Sequence, residues 1–340
     1  MAKRNTKQKK LTSMILLLFL TIVMLVTATY AWFTANQTVT VQSLDVKVEA
    51  RNGLMVSVDG FEWKTVVTNT EIVGAKTGYY GAAINQIPEI LEAVSSAGRV
   101  GTNGYLDIHS GVIGIDDNGG DFTIESTRLS ETDGNSGYYI AFDLFLRSDL
   151  GGQIYLSNQS SVVPKEGADD KGLQNSARVA FVTMGNTASD SPVATIQGLN
   201  NTANSVMPAN TSYIWEPNFD THSSHGVVAA AEVGITTTQT GATRIPYDGI
   251  LAPITTAIKL NTANETANPT YFSEVIPDII TSANFATETL YKPMFVLDRG
   301  VTKVRIYMWI EGQDIDCENN ASGTDISFNL QFSTSTQETP

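Results

Sequence analysis

Alternation with a period of two dominates the chain after residue 31. In Tyr139–Arg147, Ile140, Phe142, Leu144 and Leu146 fall on one side, and Asp143 and Arg147 on the other. In Val304–Glu311 the apolar side is Val304, Ile306, Met308 and Ile310, opposite Arg305, Tyr307 and Glu311. In Asp325–Ser333 it is Ile326, Phe328, Leu330 and Phe332, opposite Ser327, Asn329 and Gln331. Strand side chains point alternately to two faces, so this spacing predicts three half-buried antiparallel strands. Leu54–Val58, Gln153–Leu156, Arg178–Met184 and Pro293–Leu297 predict further strands. Asn52-Gly53, Asp59-Gly60, Asp133-Gly134, Gly151-Gly152 and Glu311-Gly312 supply turns between them. Only Ile84–Ala97 has helical spacing, through Ile84, Ile87, Leu91 and Val94, with Pro88 in its first turn. Residues 186–292 are rich in Thr, Asn, Ala and Ser and weakly periodic, which predicts a loop-rich insertion between core strands. The predicted fold is therefore all-β: an antiparallel β-sandwich with a large insertion and one short helix.

The N-terminus follows a different pattern. Lys3, Arg4, Lys7, Lys9 and Lys10 precede an apolar run, Leu11–Ala31. Its length of about 20 residues suffices to cross a hydrocarbon core. Thr29 and Ala31 stand at the −3 and −1 positions of a signal peptidase site, with cleavage before Trp32. Val26 and Ala28 offer a second frame. Uncleaved, the run is a membrane anchor. Basic flanks remain in the cytoplasm, so either outcome places residues 32–340 outside it. The domain reading is thus 1–31 as signal or anchor, and 32–340 as a β-sandwich domain with 186–292 inserted. Just after the run, Val39 and Val41 sit on odd positions, but Leu44, Val46 and Val48 on even ones. A bulge near Gln42–Ser43 accounts for this phase change, or else Trp32–Val41 is an arm with its own pairing partner.

A hydrophobic content of 42% supports a real core and excludes wholesale disorder. The net charge of −14 hides an asymmetry. Five of the 21 bases and none of the 35 acids precede residue 32, leaving 16 bases against 35 acids, a net −19, for the remainder. So acidic a surface repels nucleic acid, and it confines membrane contact to residues 11–31. Cys317 is the single cysteine, so no internal disulfide can form.

Candidate chemistry is sparse. The nucleophile-elbow, zincin, P-loop and dinucleotide-binding motifs are absent. His222-Ser-Ser-His225 has metal-ligand spacing but no third ligand nearby, and reads as a solvated loop. Two acidic clusters have the hard oxygen donors that Ca²⁺ prefers: Asp116/Asp117/Asp121 and Asp314/Asp316/Glu318. Each has a plainer reading, the first as a hairpin turn and the second as a solvated loop after a strand. No cofactor is assigned. Cys317 reads as a small buried hydrophobe. Trp63, Tyr79, Tyr80 and Trp215 are candidate glycan-stacking residues or ordinary core and rim residues.

Two stretches resemble a known family. Ala28-Thr-Tyr-Ala-Trp-Phe-Thr34, followed by Val39–Ala50, is similar to the export segment of the TasA and camelysin group of Firmicutes. Val304–Cys317 with Asp325–Phe332 resembles the closing strand pair of many Firmicutes proteins carrying the same signal type. Its distinctive residues are Trp309, Glu311, Gly312, Asp314, Asp316 and Cys317. The resemblance implies cleavage by the signal peptidase SipW, a jelly-roll sandwich and self-association into biofilm matrix fibres. In such fibres the N-terminal strand freed by cleavage joins the next subunit's sheet. The matching residues are Trp32, Phe33, Val39 and Val41. The 186–292 insertion departs from the family pattern. Camelysin-like proteins are also credited with metalloprotease activity, which is not carried over because no zinc set is legible. The expectation is a non-enzymatic structural protein of the cell surface or biofilm matrix. An anchored adhesin or glycan-binding module is the first alternative, and a secreted hydrolase the second.

Overall fold

The computed structural model describes residues 44–51, 53–116, 120–200, 212–232, 234–280, 294–318 and 323–334. The apolar run, Thr29 and Ala31, the arm residues Trp32, Phe33, Val39 and Val41, and Asp117 lie outside the described residues.

Two six-stranded sheets face one another across the main core. The first contains β1 (Leu44–Ala50), β3 (Val66–Thr68), β8 (Gly152–Leu156), β9 (Ser161–Pro164), β15 (Phe295–Leu297) and β17 (Ile326–Ser333). Its order is β15-β8-β17-β1-β3, with β9 also on β17. The alternation expected of β1 and β17 holds for most of their length, with Val46, Val48, Phe328 and Leu330 buried, Lys47 exposed and Asn329 half-buried, but Gln331 and Ser333, on the expected polar side at the end of β17, are buried. Their pairing departs from the antiparallel expectation. β1 and β17 run parallel, from Leu44 opposite Ile326 to Ala50 opposite Phe332. Parallel neighbours need a long connection, and nearly the whole described chain lies between these two.

The second sheet contains β2 (Met55–Ser57), β4 (Ala93–Val94), β7 (Ile140–Ser148), β10 (Ala177–Thr187), β11 (Tyr213–Trp215) and β16 (Gly300–Glu311). β16 lies between β10 and β7, antiparallel to both. Ile140, Phe142, Leu144 and Leu146 of β7 and Val304, Ile306, Met308 and Ile310 of β16 all enter the core, as their spacing predicts. The other faces correct the half-buried reading. Every residue of β16 is buried, and so are Asp143 and Phe145 of β7. A third layer covers this outer face.

Over Phe145 and Val301 that cover is Tyr80, Ala83 and Ile196; over the rest it includes the ribbon of β12 (Tyr247–Ile250) and β14 (Phe272–Val275), whose Ile250 and Phe272 in turn pack with the small sheet of β5 (His109–Ile115), β6 (Phe122–Arg128) and β13 (Ile258–Lys259). Tyr247 and Val275 of the ribbon pack with Ala180, Tyr307 and Trp309 of the second sheet in a separate apolar cluster.

Three short α-helices occur among the described residues: α1 (Asn69–Gly74), α2 (Val193–Gln197) and α3 (Ser224–Glu232). None is long and apolar enough to cross a membrane. The predicted helix at Ile84–Ala97 is not formed, and the segment is extended instead. Gln86 and Ala141 exchange backbone hydrogen bonds, the Ile87 N–H reaches the Gly134 carbonyl, and β4 pairs with Ile310 and Glu311. Pro88 offers no N–H and biases Ile87 towards extended backbone, so the segment finds its partners across a sheet edge.

Candidate functional site

The resemblance motif lies where β16 leaves the second sheet. Trp309 and Glu311 both project towards the outer layer, two residues apart on one strand face. The Trp309 indole N–H donates to Glu311 Oε2 at 2.9 Å, and the Gln313 N–H donates to Oε1 at 3.1 Å. Glu311 is fully buried, and burial pushes its pKa up to about 7 against the opposing effect of these donors. The Gly312 N–H bonds the Val94 carbonyl at 2.8 Å, fastening the strand end to β4.

The turn that follows is a double connector. Asp314 accepts from the Arg178 guanidinium at 2.5 Å and from the Asp316 N–H at 2.8 Å. Arg178 stands on β10 opposite Trp309, is buried, and also binds Glu216 at 2.9 Å. Its guanidinium lies 5.3 Å from the centre of the Tyr247 ring. Asp316 reaches the segment ahead of α3: His222 Nδ1 is 2.8 Å from Oδ2, and the Ser223 N–H donates to Oδ1 at 2.7 Å. Asp314 thus ties the turn to the second sheet, and Asp316 ties it to the segment leading into α3.

Two sequence readings are corrected here. Asp314, Asp316 and Glu318 are buried, not in a solvated loop, and so is His222. Only His225 stays exposed, on α3. Asp314 and Asp316 are engaged by arginine and imidazole, and no cluster with metal-binding geometry occurs among the described residues. In the other acidic cluster, the Asp116 N–H bonds the Asp121 carbonyl at 2.8 Å, closing the β5–β6 hairpin, and Asp121 pairs with Lys259 at 2.7 Å.

An Asp–His pair orients an imidazole as it would in a general base. In this pair, however, His222 Nε2 is buried without a hydrogen-bond partner. Among the described residues, no hydroxyl or thiol is hydrogen-bonded to Nε2 as a proton donor to such a base would be. Cys317 is buried nearby, and burial pushes its thiol well above the ordinary range, so it stays protonated.

A second ionic network crosses the same outer face. Arg305 on β16 binds Asp143 on β7 at 2.7 Å and, through Nε, Glu131 at 2.8 Å. Lys303 is 3.0 Å from Asp143, whose carboxylate also accepts from the Tyr80 hydroxyl at 2.8 Å. Burial alone would raise the Asp143 pKa, but Arg305 and Lys303 more than offset it and hold the group below its usual value. A cleft of about 360 Å³ opens beside this network, lined by Asn103, Tyr105, Arg128, Glu131 and Tyr139. Of the four candidate stacking aromatics, Tyr80 and Trp215 are buried, Trp63 is half-buried under Arg147, and Tyr79 is exposed beside Phe61 with ring centres 4.3 Å apart.

Sequence reasoning missed Arg178 and Glu216. The available signal was phase: Arg178 falls on the face of its strand opposite Val179 and Phe181, the same outer face that Trp309 and Glu311 occupy on β16. No family model, curated protein or solved structure matches this chain.

Proposed function

We propose that this chain is an exported structural protein of the cell surface or biofilm matrix. Its body is a jelly-roll-type sandwich, and it polymerises when residues 32–41, freed by cleavage before Trp32, join the sheet of another copy. The observation that carries this reading is the order of parts: a basic and apolar export segment, an out-of-phase β-type arm, then an all-β body whose first strand is already internal to a sheet. β1 is occupied on one side by β17 along its full length, and on the other by β3 at residues 47–49. With both edges of β1 taken, an arm that paired as a strand would have to do so elsewhere. Strand addition supplies main-chain hydrogen bonds, while alternate side chains fill pockets. Head-to-tail repetition that does not close builds a filament.

The test is the intact mass of the exported protein together with electron microscopy. The expected product begins at Trp32 and forms fibres. A chain beginning at Ser43 is expected to stay monomeric, and adding a peptide of residues 32–42 should raise its melting temperature by mass action. Fibres from the Ser43 chain equal to those of the mature protein would exclude strand donation. An exported product beginning at Met1 or Ala2 would exclude cleavage.

The cleft at Tyr105, Tyr139, Arg128 and Glu131 favours a second reading, an anchored glycan-binding module, because aromatic walls with convergent polar groups suit a saccharide. Saccharide binding that Tyr105→Ala abolishes, by a protein that retains residues 1–31, would favour it over the fibre reading.

A further inference from the structure

The carboxylates around the 311–318 turn outnumber the cations that face them. From the second sheet and its turn come Glu311, Asp314, Asp316 and Glu318, with Arg178 as the buried cation. From the chain that follows β11 of the same sheet come Glu216, directly after that strand, and His222, ahead of α3. Tyr247 of β12 and Cys317 of the turn face the same cluster but are held neutral by burial. Arg244, half-buried and bonded to the Pro277 carbonyl, also lowers the Glu216 pKa but does not offset its burial. Even with His222 charged, Arg178 and His222 balance only two of the four carboxylates Glu216, Glu311, Asp314 and Asp316. The shortage also appears atom by atom: Glu216 Oε2 and His222 Nε2 have no hydrogen-bond partner, although the two residues are only 3% and 7% exposed. A buried ionised oxygen without a donor is far more costly than a neutral carboxyl.

We propose that this cluster is a proton-dependent latch, which holds the segment leading from β11 into α3 against the motif turn while it holds protons and loosens that segment as they leave. His222–Asp316 is the one direct ion pair described between the motif turn and this segment, and Glu216 is joined to the turn through Arg178, so the loosening is local. β7, β17 and the sandwich core contribute no carboxylate to it.

The proton affinities run in the required direction. Burial, and then Asp314, raise the Glu216 and Asp316 pKa values despite Arg178 and His222. Burial raises Glu311 from 4.5 to about 7. Burial would lower His222, but its bond to Asp316 raises it overall. For each raised carboxylate, the native state is penalised as pH rises through its elevated pKa. For His222, the favourable charge is complete below its unfolded value and is lost as pH rises through the folded one. All four groups therefore weaken the latch in the same direction, as pH climbs from mildly acidic to mildly alkaline.

Hydrogen exchange of the full chain, corrected for the intrinsic pH dependence of amide chemistry, tests this directly. Between about pH 5.5 and about pH 8.5, peptides covering Tyr213–Glu216 and His222–Ala230 should lose protection roughly tenfold or more, while β7 and β17 keep theirs. Glu216→Gln, which removes one titrating charge at constant shape, should flatten most of that change. If it does not fold, Glu311→Gln serves in its place. Protection that does not change with pH in wild-type protein overturns the proposal. So does a loss spread equally through β7 and β17, or a loss that folded Glu216→Gln or Glu311→Gln retains in full.

Discussion

At the scale of single residues, the outer face of the second sheet has the sharpest consequences. Asp143 is buried beneath Arg305, Lys303 and Tyr80. Asp143→Ala leaves two buried cations without their shared partner, a loss of about 3–5 kcal/mol where one member of a buried pair is removed. Urea denaturation should read this as a fall in midpoint with little change in slope. The apolar core between the two sheets gives a matching test. Ile306 and Phe328 are fully buried, one from each sheet, and truncating either to Ala should cost about 2–5 kcal/mol. A cost below about 0.5 kcal/mol, typical of a surface substitution, would mean that the inward faces are wrongly assigned. Alternation alone located Ile306 and Phe328. It also placed Arg305 and Asp143 on the opposite face, but alternation cannot distinguish a face in water from one under a third layer. Their burial was illegible because the covering segments carry weak periodicity of their own.

At the scale of elements, legibility followed the balance between local and distant hydrogen bonding. β7, β10 and β16 are long enough for their alternation to appear in sequence, and the register between β16 and β7 follows it without a break. Ile84–Ala97 misled because helical spacing was counted on Ile84, which is exposed in this extended segment, while Gln86, buried here, was left out. The Gln86 side chain donates to the Tyr139 carbonyl at 2.6 Å and accepts from the Thr132 N–H at 2.8 Å, contacts that no local rule anticipates. By contrast, α1 has a readable start: Thr68 and Glu71 form the T-x-x-E signature, and the Thr68 N–H donates to Glu71 at 2.9 Å. The seating of β12 on the 96–97 segment supplies an element-scale test. A Cβ at Gly249 would lie 2.4 Å from the Ser96 carbonyl oxygen and 2.7 Å from Ala97 Cα, and neither backbone atom can easily give way. Gly249→Ala should therefore cost about 1–3 kcal/mol by overpacking. The added hydrogen exchange should be confined to β12, β14 and residues 95–97, and exchange in β1 or β17 would show that the outer layer is not an independent unit.

At the scale of the whole molecule, three layers place titrating groups in two buried regions that pull on stability in opposite directions. The latch groups favour acid: Glu311, raised to about 7, penalises the native state progressively as pH rises above 4.5. His109 in β5 works against them. It is fully buried, and burial, aided by Arg128 and Arg99, lowers its pKa from 6.5 to about 4, the nearby Asp107 only partly opposing this. A group with a lowered folded pKa contributes stability that is present above its unfolded value and lost as pH falls through the folded one. The His109 loss thus runs from 6.5 down to about 4, on the order of 3 kcal/mol at its limit. From about pH 6.5 to about pH 4.5 the two slopes oppose each other, and above that window only the latch slope remains. Wild-type stability should therefore change little across the mildly acidic range and decline towards alkaline pH. His109→Gln separates the two contributions. Burying an amide there has a cost of its own, but an amide does not titrate, so that cost is constant with pH. The stability of His109→Gln minus that of wild type, from urea midpoints at matched ionic strength, should become steadily more favourable to the variant as pH falls from about 6.5 to about 4.5. Parallel curves for the two proteins would mean that His109 takes up its proton as readily in the folded chain as in the unfolded one.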